Sequence, residues 1–153
     1  MMTNEKNFYS STDGISWSPI DNNLSSSMKN KDFYNYICLN DLIIVLADGS
    51  YLAYSSNGIA YTEREISGGG ARDITFGKNI YVLIKEGSLF YNTSLTNTNW
   101  SQVYSGAKIF YKVVFRKNLF VAVGETGAIA TSSDGLNWTE RISPTADTLR
   151  SLY

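Results

Sequence analysis

Two seven-residue segments near opposite ends of the chain share the pattern Ser-x-Asp-Gly-x-x-Trp. One runs from Ser11 to Trp17 and the other from Ser132 to Trp138, and SSNGIAY (Ser55 to Tyr61) and NTSLTNTNW (Asn92 to Trp100) are weaker copies. Their closing aromatic residues are spaced by 44, 39 and 38 positions: Trp17, Tyr61, Trp100 and Trp138. A recurrence at this period indicates a repeat architecture, which constrains the fold more than any other feature of the sequence.

The segments between these turns repeat as well. Ile74 to Ser94 aligns with Val113 to Ser133 at an offset of 39, and Ile37 to Ser56 is a weaker copy. Each unit reads as an apolar stretch, a Lys-Asn type turn, a continuous apolar strand, a Gly-containing turn, an alternating strand, the Asp-Gly turn and a polar strand. Gly accepts the positive φ of tight hairpin turns, so the pattern predicts four short antiparallel strands per unit.

Four-stranded antiparallel units at a period of about 40 residues are typical of β-propeller blades. We therefore predict one all-β domain over residues 1–153, with a β-sandwich as the alternative fold. The three complete blades are expected at about residues 32–67, 72–105 and 111–143, and a fourth is shared between 7–20 and 148–153. The shared blade has no second strand unless Met1 to Asn4 supply it, so a larger propeller completed by a second chain is the alternative.

The repeated turn resembles the Asp-box, or BNR, repeat of propeller proteins, although Asp and Gly are adjacent here rather than separated by one residue. In that family the motif forms the turn between the third and fourth strands of a blade. Asp and Asn side chains accept bonds from nearby backbone N–H groups, so a structural role as a turn lock is expected rather than catalysis or Ca²⁺ binding. The resemblance covers these positions: Ser11, Asp13, Gly14, Trp17, Ser55, Asn57, Gly58, Tyr61, Trp100, Ser132, Asp134, Gly135 and Trp138.

Composition excludes several classes of function. The 153 residues contain no His, which removes Ser-His-Asp catalysis, His-ligated metals and a histidine pH switch. The net charge is −1 without a basic patch, which argues against nucleic-acid binding. The longest apolar run, Leu42 to Ala47, cannot span a bilayer, and the N-terminus has no signal-peptide pattern. The single Cys38 is expected to be a buried strand residue. We expect no cofactor, no metal and no membrane insertion, and synthesis in the cytoplasm.

The Asp-box resemblance raises a sialidase as an enzyme hypothesis. Sialidases use an arginine triad, but two of the five arginines here, Arg64 and Arg141, follow the Asp-box at the same point of the repeat. No acidic residue stands at a position that the repeat leaves unexplained. The sequence therefore predicts a protein that is not an enzyme, and a glycosidase is the disfavoured alternative.

Function is therefore expected on a surface. The loops between blades and the turns between second and third strands should share one face, opposite the Asp-box turns. The repeat resembles those of phage tail, virion-associated and bacterial surface proteins. This predicts a virion or tail accessory protein that attaches to the particle or recognises a host-surface glycan, with a bacterial assembly or scaffold factor as the alternative. Partners would be proteins, a glycan or a second copy of the chain. The candidate binding face comprises Asp48, Arg72, Lys85, Glu86, Glu125 and Thr126.

Overall fold

The computed structural model describes residues 8–66 and 68–152. Within them, strands form three four-stranded sheets and one two-stranded sheet, all antiparallel. This confirms the predicted all-β fold of short four-stranded blades. The prediction that Met1 to Asn4 supply a strand lies outside the described residues.

Each four-stranded sheet follows chain order, so every strand pairs with its sequence neighbour. Blade 1 consists of β3 (Phe33–Leu39), β4 (Leu42–Ala47), β5 (Tyr51–Ser55) and β6 (Thr62–Glu65). Blade 2 consists of β7 (Ala71–Gly77), β8 (Ile80–Lys85), β9 (Ser88–Asn92) and β10 (Ser101–Tyr104). Blade 3 consists of β11 (Phe110–Arg116), β12 (Leu119–Gly124), β13 (Ile129–Ser132) and β14 (Thr139–Glu140).

Two strands precede the blades and form the N-terminal hairpin, β1 (Phe8–Ser10) and β2 (Ser18–Ile20). The connection to blade 1, predicted as a loop, contains a one-turn helix, α1 (Ser26–Lys29). Ser25 starts this helix because its hydroxyl accepts the backbone N–H of Met28 at 3.1 Å. Met28 is fully buried, so the short helix closes one end of the core between the N-terminal hairpin and blade 1.

The turns between first and second strands have a shared backbone geometry. Two consecutive residues have φ between 49° and 62° in each: Asn40 and Asp41, Lys78 and Asn79, Lys117 and Asn118. Consecutive positive φ values define the two-residue turn whose twist matches antiparallel strands. The Lys-Asn pairs of blades 2 and 3, and Asn40-Asp41 in blade 1, therefore fix the register between the first and second strands.

The blades stack in chain order because strand β4 and its equivalents alternate between two apolar faces. Ile44 and Leu46 of blade 1 pack with Tyr81 and Leu83 of blade 2 in one core. In the next core, Ile80, Val82 and Ile84 pack with residues of blade 3, among them Phe120 and Ala122. Phe8 of the N-terminal hairpin packs on the opposite side of blade 1 in a third core. The result is an arc of hairpin, blade 1, blade 2 and blade 3.

The fourth blade predicted from both termini does not form as one sheet. The hairpin is a separate two-stranded sheet, and residues 148–152 are not in a strand. The C-terminal segment instead follows blade 3, where the N–H of Leu149 donates to the carbonyl of Gly124 at 2.8 Å. In a blade, the first and third strands both pair with the second, and no described strand takes that place between the two pieces.

The prediction that Cys38 is buried is wrong, because its side chain is exposed. Cys38 lies near the end of the seven-residue β3, and the hairpin on that side of blade 1 has strands of only three residues. Among residues 8–66 and 68–152, no helix is long and apolar enough to cross a membrane.

Candidate binding site on the inner strands

The repeated turns form one hydrogen-bonding arrangement in three copies. In blade 3, Asp134 Oδ1 accepts the backbone N–H groups of Leu136 and Asn137, both at 2.8 Å, and the Ser132 hydroxyl at 2.9 Å. The same oxygen of Asp13 accepts the N–H groups of Ile15 and Ser16, at 2.8 and 2.9 Å. The Oδ1 atom of each carboxylate therefore stabilises a turn by accepting these hydrogen bonds.

Asn57 builds the third copy without a charge. Its Oδ1 accepts the N–H groups of Ile59 and Ala60, each at 2.9 Å, and the Ser55 hydroxyl at 3.0 Å. The fourth copy is different, because Asn92 stands where the other turns have Ser and binds the carbonyl of Asn99 at 3.0 Å. An oxygen acceptor, rather than a carboxylate, is therefore what the three matching turns require.

The pKa values of the two aspartates are low for the same reason. The backbone N–H of Ser16 is the largest of several hydrogen bonds that lower the pKa of Asp13 to about 2. Donation from the backbone N–H and the side chain of Asn137 holds the pKa of Asp134 well below its usual range. Both carboxylates thus stay ionised at neutral pH, unlike a general acid.

The first strand of every blade contains a β-bulge near its start. The pairing with the second strand skips Tyr34 in blade 1, Arg72 in blade 2 and Tyr111 in blade 3. A bulge leaves one residue out of the ladder and redirects its side chain. The three bulged residues hold equivalent places in the repeat, 38 and 39 positions apart, and Arg150 follows after another 39.

These four residues, which we call the Tyr–Arg row, line a shared cavity of about 270 Å³: Tyr34, Arg72, Tyr111 and Arg150. The guanidinium carbon of Arg72 lies 5.0 Å from the centroid of the Tyr111 ring, and that of Arg150 lies 5.4 Å from the same centroid. These are cation–π distances. Neither arginine has an ion-pair partner among the described residues, and both are exposed. The row therefore presents two exposed guanidinium groups with no direct ion pair in the described part of the chain.

Two carboxylates accept hydrogen bonds from the tyrosine hydroxyls of the row. The hydroxyl of Tyr34 donates to Asp48 Oδ1 at 3.0 Å, and that of Tyr111 donates to Glu125 Oε1. The bond to Asp48 raises the pKa of the Tyr34 hydroxyl, since ionisation would lose it. Both acids thus act as acceptors that orient a ring and do not line the cavity.

A buried polar cluster beneath the row joins the three inner strands. Asp73, only 1% exposed, accepts Asn35 Nδ2 at 2.8 Å and Lys112 Nζ at 3.1 Å through Oδ1, and the N–H of Val113 at 2.8 Å through Oδ2. Burial raises the pKa of this carboxyl despite the opposing bonds from Val113 and Lys112. The cluster fixes the spacing of β3, β7 and β11, and through them the row.

The side chains of the six residues predicted as a binding face lie in different surroundings. Arg72 belongs to the row, and Asp48 and Glu125 support it from behind. Lys85 is buried with its Nζ 4.3 Å from the centroid of the Phe90 ring, and Glu86 lies against Gly69. Thr126 lines a different cavity of about 480 Å³ between the second turn of blade 3 and residues 140–146.

The predicted placement of the loops on one face agrees with the backbone bonds. The turn between second and third strands donates to the segment before the first strand in each blade: Asp48 to Asp32 at 2.8 Å, Glu86 to Gly70 at 3.3 Å and Glu125 to Ile109 at 2.9 Å. Sequence reasoning missed Tyr34, Tyr111 and Arg150, although their spacing equals the repeat period. Within the described residues, no cluster of three or more acidic or Cys side chains could hold a metal ion.

No protein-family model matches the sequence, and no curated protein matches it. Solved structures do share the fold. YCF48 bound to a D1 peptide matches with a TM-score of 0.65 and 13% identity, covering 91% of this chain and 49% of that one. YCF48 from Cyanidioschyzon merolae matches with a TM-score of 0.60 and 15% identity, covering 75% of this chain and 38% of that one.

The likeness to YCF48 shows a β-propeller fold, and this chain spans less than half the length of either neighbour. Among the described residues, its sheets form an arc that does not close.

Proposed function

We propose that this chain is a non-enzymatic binding module that holds an extended, acidic segment of a partner protein across the Tyr–Arg row. The observation that carries the proposal is the pair of exposed guanidinium groups, Arg72 and Arg150, set on either side of Tyr111 in the repeat and lacking an ion-pair partner among the described residues. Arg presents a planar donor fork that matches a carboxylate.

The shape of the row favours a peptide over a glycan. Three of its four residues come from the first strands of successive blades and Arg150 comes from the segment after blade 3, so the row crosses several blades as an extended ligand would. Both arginines lie over the ring of Tyr111, so among the described residues Tyr34 is the one ring of the row without an arginine over it for a sugar to stack on. The D1 peptide complex of YCF48 supports protein binding as a use of the fold.

A binding role rather than catalysis is proposed because the groups in the row are cations and phenols. The nearby acids, Asp48 and Glu125, accept hydrogen bonds from Tyr hydroxyls, and the chain contains no His. Attachment to a virion and service as an assembly scaffold would both use such a surface. The virion setting stays a prediction from the sequence resemblance alone, as does membership of the Asp-box family.

Fluorescence anisotropy with labelled peptides of equal length, rich in Glu, Gln or Lys, tests the proposal. We expect the Glu peptide to bind, with affinity that falls as salt rises. Arg72→Gln and Arg150→Gln should each weaken binding by about 1–3 kcal/mol, roughly 5- to 150-fold. Arg116→Gln is the matched control, because Arg116 is exposed at the far end of β11. Equal binding of the Glu and Gln peptides, or an equal loss in the control, would contradict the proposal.

A further inference from the structure

The closing aromatic of each blade packs into the interface with the preceding unit. Trp138 joins the core between blades 2 and 3, and Trp100 joins the core between blades 1 and 2. Tyr61 is buried in the core between the N-terminal hairpin and blade 1. Trp17 is the equivalent residue of the hairpin and remains 44% exposed, so no preceding blade covers it among the described residues.

The other end of the arc carries the surface that such an aromatic would meet. Ile80, Val82 and Ile84 of β8 are buried against blade 3. Their repeat equivalents on β12, at an offset of 39, are Leu119, Val121 and Val123. Leu119 is 39% exposed and Val121 is partly exposed, whereas Val123 is buried, so within the described residues no blade covers the Leu119 end of this row.

The Asp-Gly turns give the same result at atomic detail. A Cβ placed on Gly135 would lie 2.7 Å from Ile80 Cδ1, so this turn of blade 3 is packed on blade 2. A Cβ on Gly14, the equivalent glycine of the hairpin, would meet nothing within 4 Å. The hairpin thus lacks the partner that Ile80 provides for blade 3, and Leu119 is the residue equivalent to Ile80.

We propose that a second copy of this chain covers blade 3, with the hairpin of each copy packed on the Leu119 surface of the other. The two surfaces match each other: the open turn at Gly14 corresponds to the turn at Gly135 that packs on Ile80, and Leu119, the repeat equivalent of Ile80, is exposed. Head-to-tail contacts of this kind close when the rotation fits.

Ring closure would also continue the Tyr–Arg row. Residues of the row alternate Tyr, Arg, Tyr, Arg along the arc, so the next position after Arg150 is Tyr34 of the second copy. Tyr34 is exposed in the single chain, and Arg150 has an aromatic neighbour in the row only in Tyr111. The second copy therefore supplies a residue to the proposed binding site. The assembly itself does not depend on the proposed function.

Light scattering on the eluted full chain, without peptide, measures the assembly directly. We expect twice the 17.0 kDa mass of one chain at micromolar concentration. Leu119→Arg should give the single-chain mass, whereas Leu136→Arg should keep the doubled mass, since Leu136 is equally exposed at 40% but lies in the Asp-Gly turn. Circular dichroism of both variants shows whether each remains folded.

Tryptophan fluorescence provides a second readout. Dilution through the dissociation range should shift the emission to the red as Trp17 becomes exposed, and Trp17→Phe should remove that shift. A single-chain mass at all concentrations, as further blades of the same polypeptide or another protein would give, overturns the proposal. Masses above two chains overturn it too, because the contacts would then fail to close after two copies.

Discussion

Replacement of Asp134 tests what holds the blade turns. Its Oδ1 accepts two backbone N–H groups and one hydroxyl, and its Oδ2 accepts Asn137 Nδ2 at 2.8 Å. Asp134→Ala removes every acceptor, and water can replace it at the exposed donors of Leu136 and Asn137 but less readily at the part-buried Ser132 hydroxyl. Loss of a comparable side-chain cap costs about 0.5–2 kcal/mol, so we expect the free energy of unfolding to fall by about 1–2 kcal/mol.

Asp134→Asn should behave differently, because Asn57 forms the same turn with an amide oxygen. We expect a loss of at most about 0.5 kcal/mol, from the contact with Asn137. At roughly 2–4 °C per kcal/mol for a chain of this size, the Ala variant should melt about 2–8 °C below wild type and the Asn variant within about 2 °C of it.

The change in stability at acid pH shows whether the charge of Asp134 stabilises the fold. The folded-state pKa of Asp134 lies below its ordinary value of 3.8, because the N–H and side chain of Asn137 donate to the carboxylate, so its ionised form stabilises the fold above that pH. This contribution is lost as the pH falls from 3.8 through the folded-state pKa, and the Asn variant has nothing to lose there. Urea unfolding of all three proteins at pH 7 and below pH 4 measures both effects. If the Asn variant is as unstable as the Ala variant at pH 7, the turn depends on charge and our reasoning is wrong.

Three further predictions follow from single contacts. Gly135→Ala should lower the melting temperature far more than Gly14→Ala. Both glycines have φ near 75°, but only at Gly135 would the added Cβ meet Ile80, at 2.7 Å. Equal decreases in melting temperature would show that backbone strain alone determines the effect. Trp100→Phe should preserve or raise the melting temperature, because the buried Trp100 Nε1 has no hydrogen-bond partner among the described residues. A decrease in the free energy of unfolding above about 2 kcal/mol would indicate that Nε1 does have a hydrogen-bond partner. Burial raises the folded-state pKa of Asp73, so wild-type stability should decline as the pH rises from 3.8 through that pKa, and Asp73→Asn should flatten this decline. Urea unfolding midpoints at several pH values measure the effect. A wild-type midpoint that rises over this pH range would contradict the assignment.

The blade architecture could be predicted because its determinants are local. Alternating apolar residues, Lys-Asn turns and Gly turns each report on a few neighbouring residues, and their recurrence reveals the repeat. The fourth blade was predicted from the local patterns of the two termini, and among the described residues these two pieces do not join in one sheet because no described strand lies between them. The exposure of Cys38 depends on how far the hairpin extends across blade 1.

The Tyr–Arg row was only partly predictable. Arg72 was identified from its place near a loop, but the bulges that redirect Tyr34, Arg72 and Tyr111 depend on how two strands pair. No residue type marks such a bulge in this sequence. Comparing equivalent positions of the first strands would have revealed the alternation of Tyr and Arg, whereas a search for acidic and basic loop residues selected Lys85 and Glu86, which lie outside the row.

The backward packing of the closing aromatics gives the chain a direction for folding. Tyr61, Trp100 and Trp138 each pack on a unit that is synthesised earlier, so every blade that leaves the ribosome finds its contact surface already made. Strand pairing stays within about 40 residues, and the blades can be added in the order of synthesis. Trp17 is the one closing aromatic residue of the four whose contact surface does not lie among the described residues.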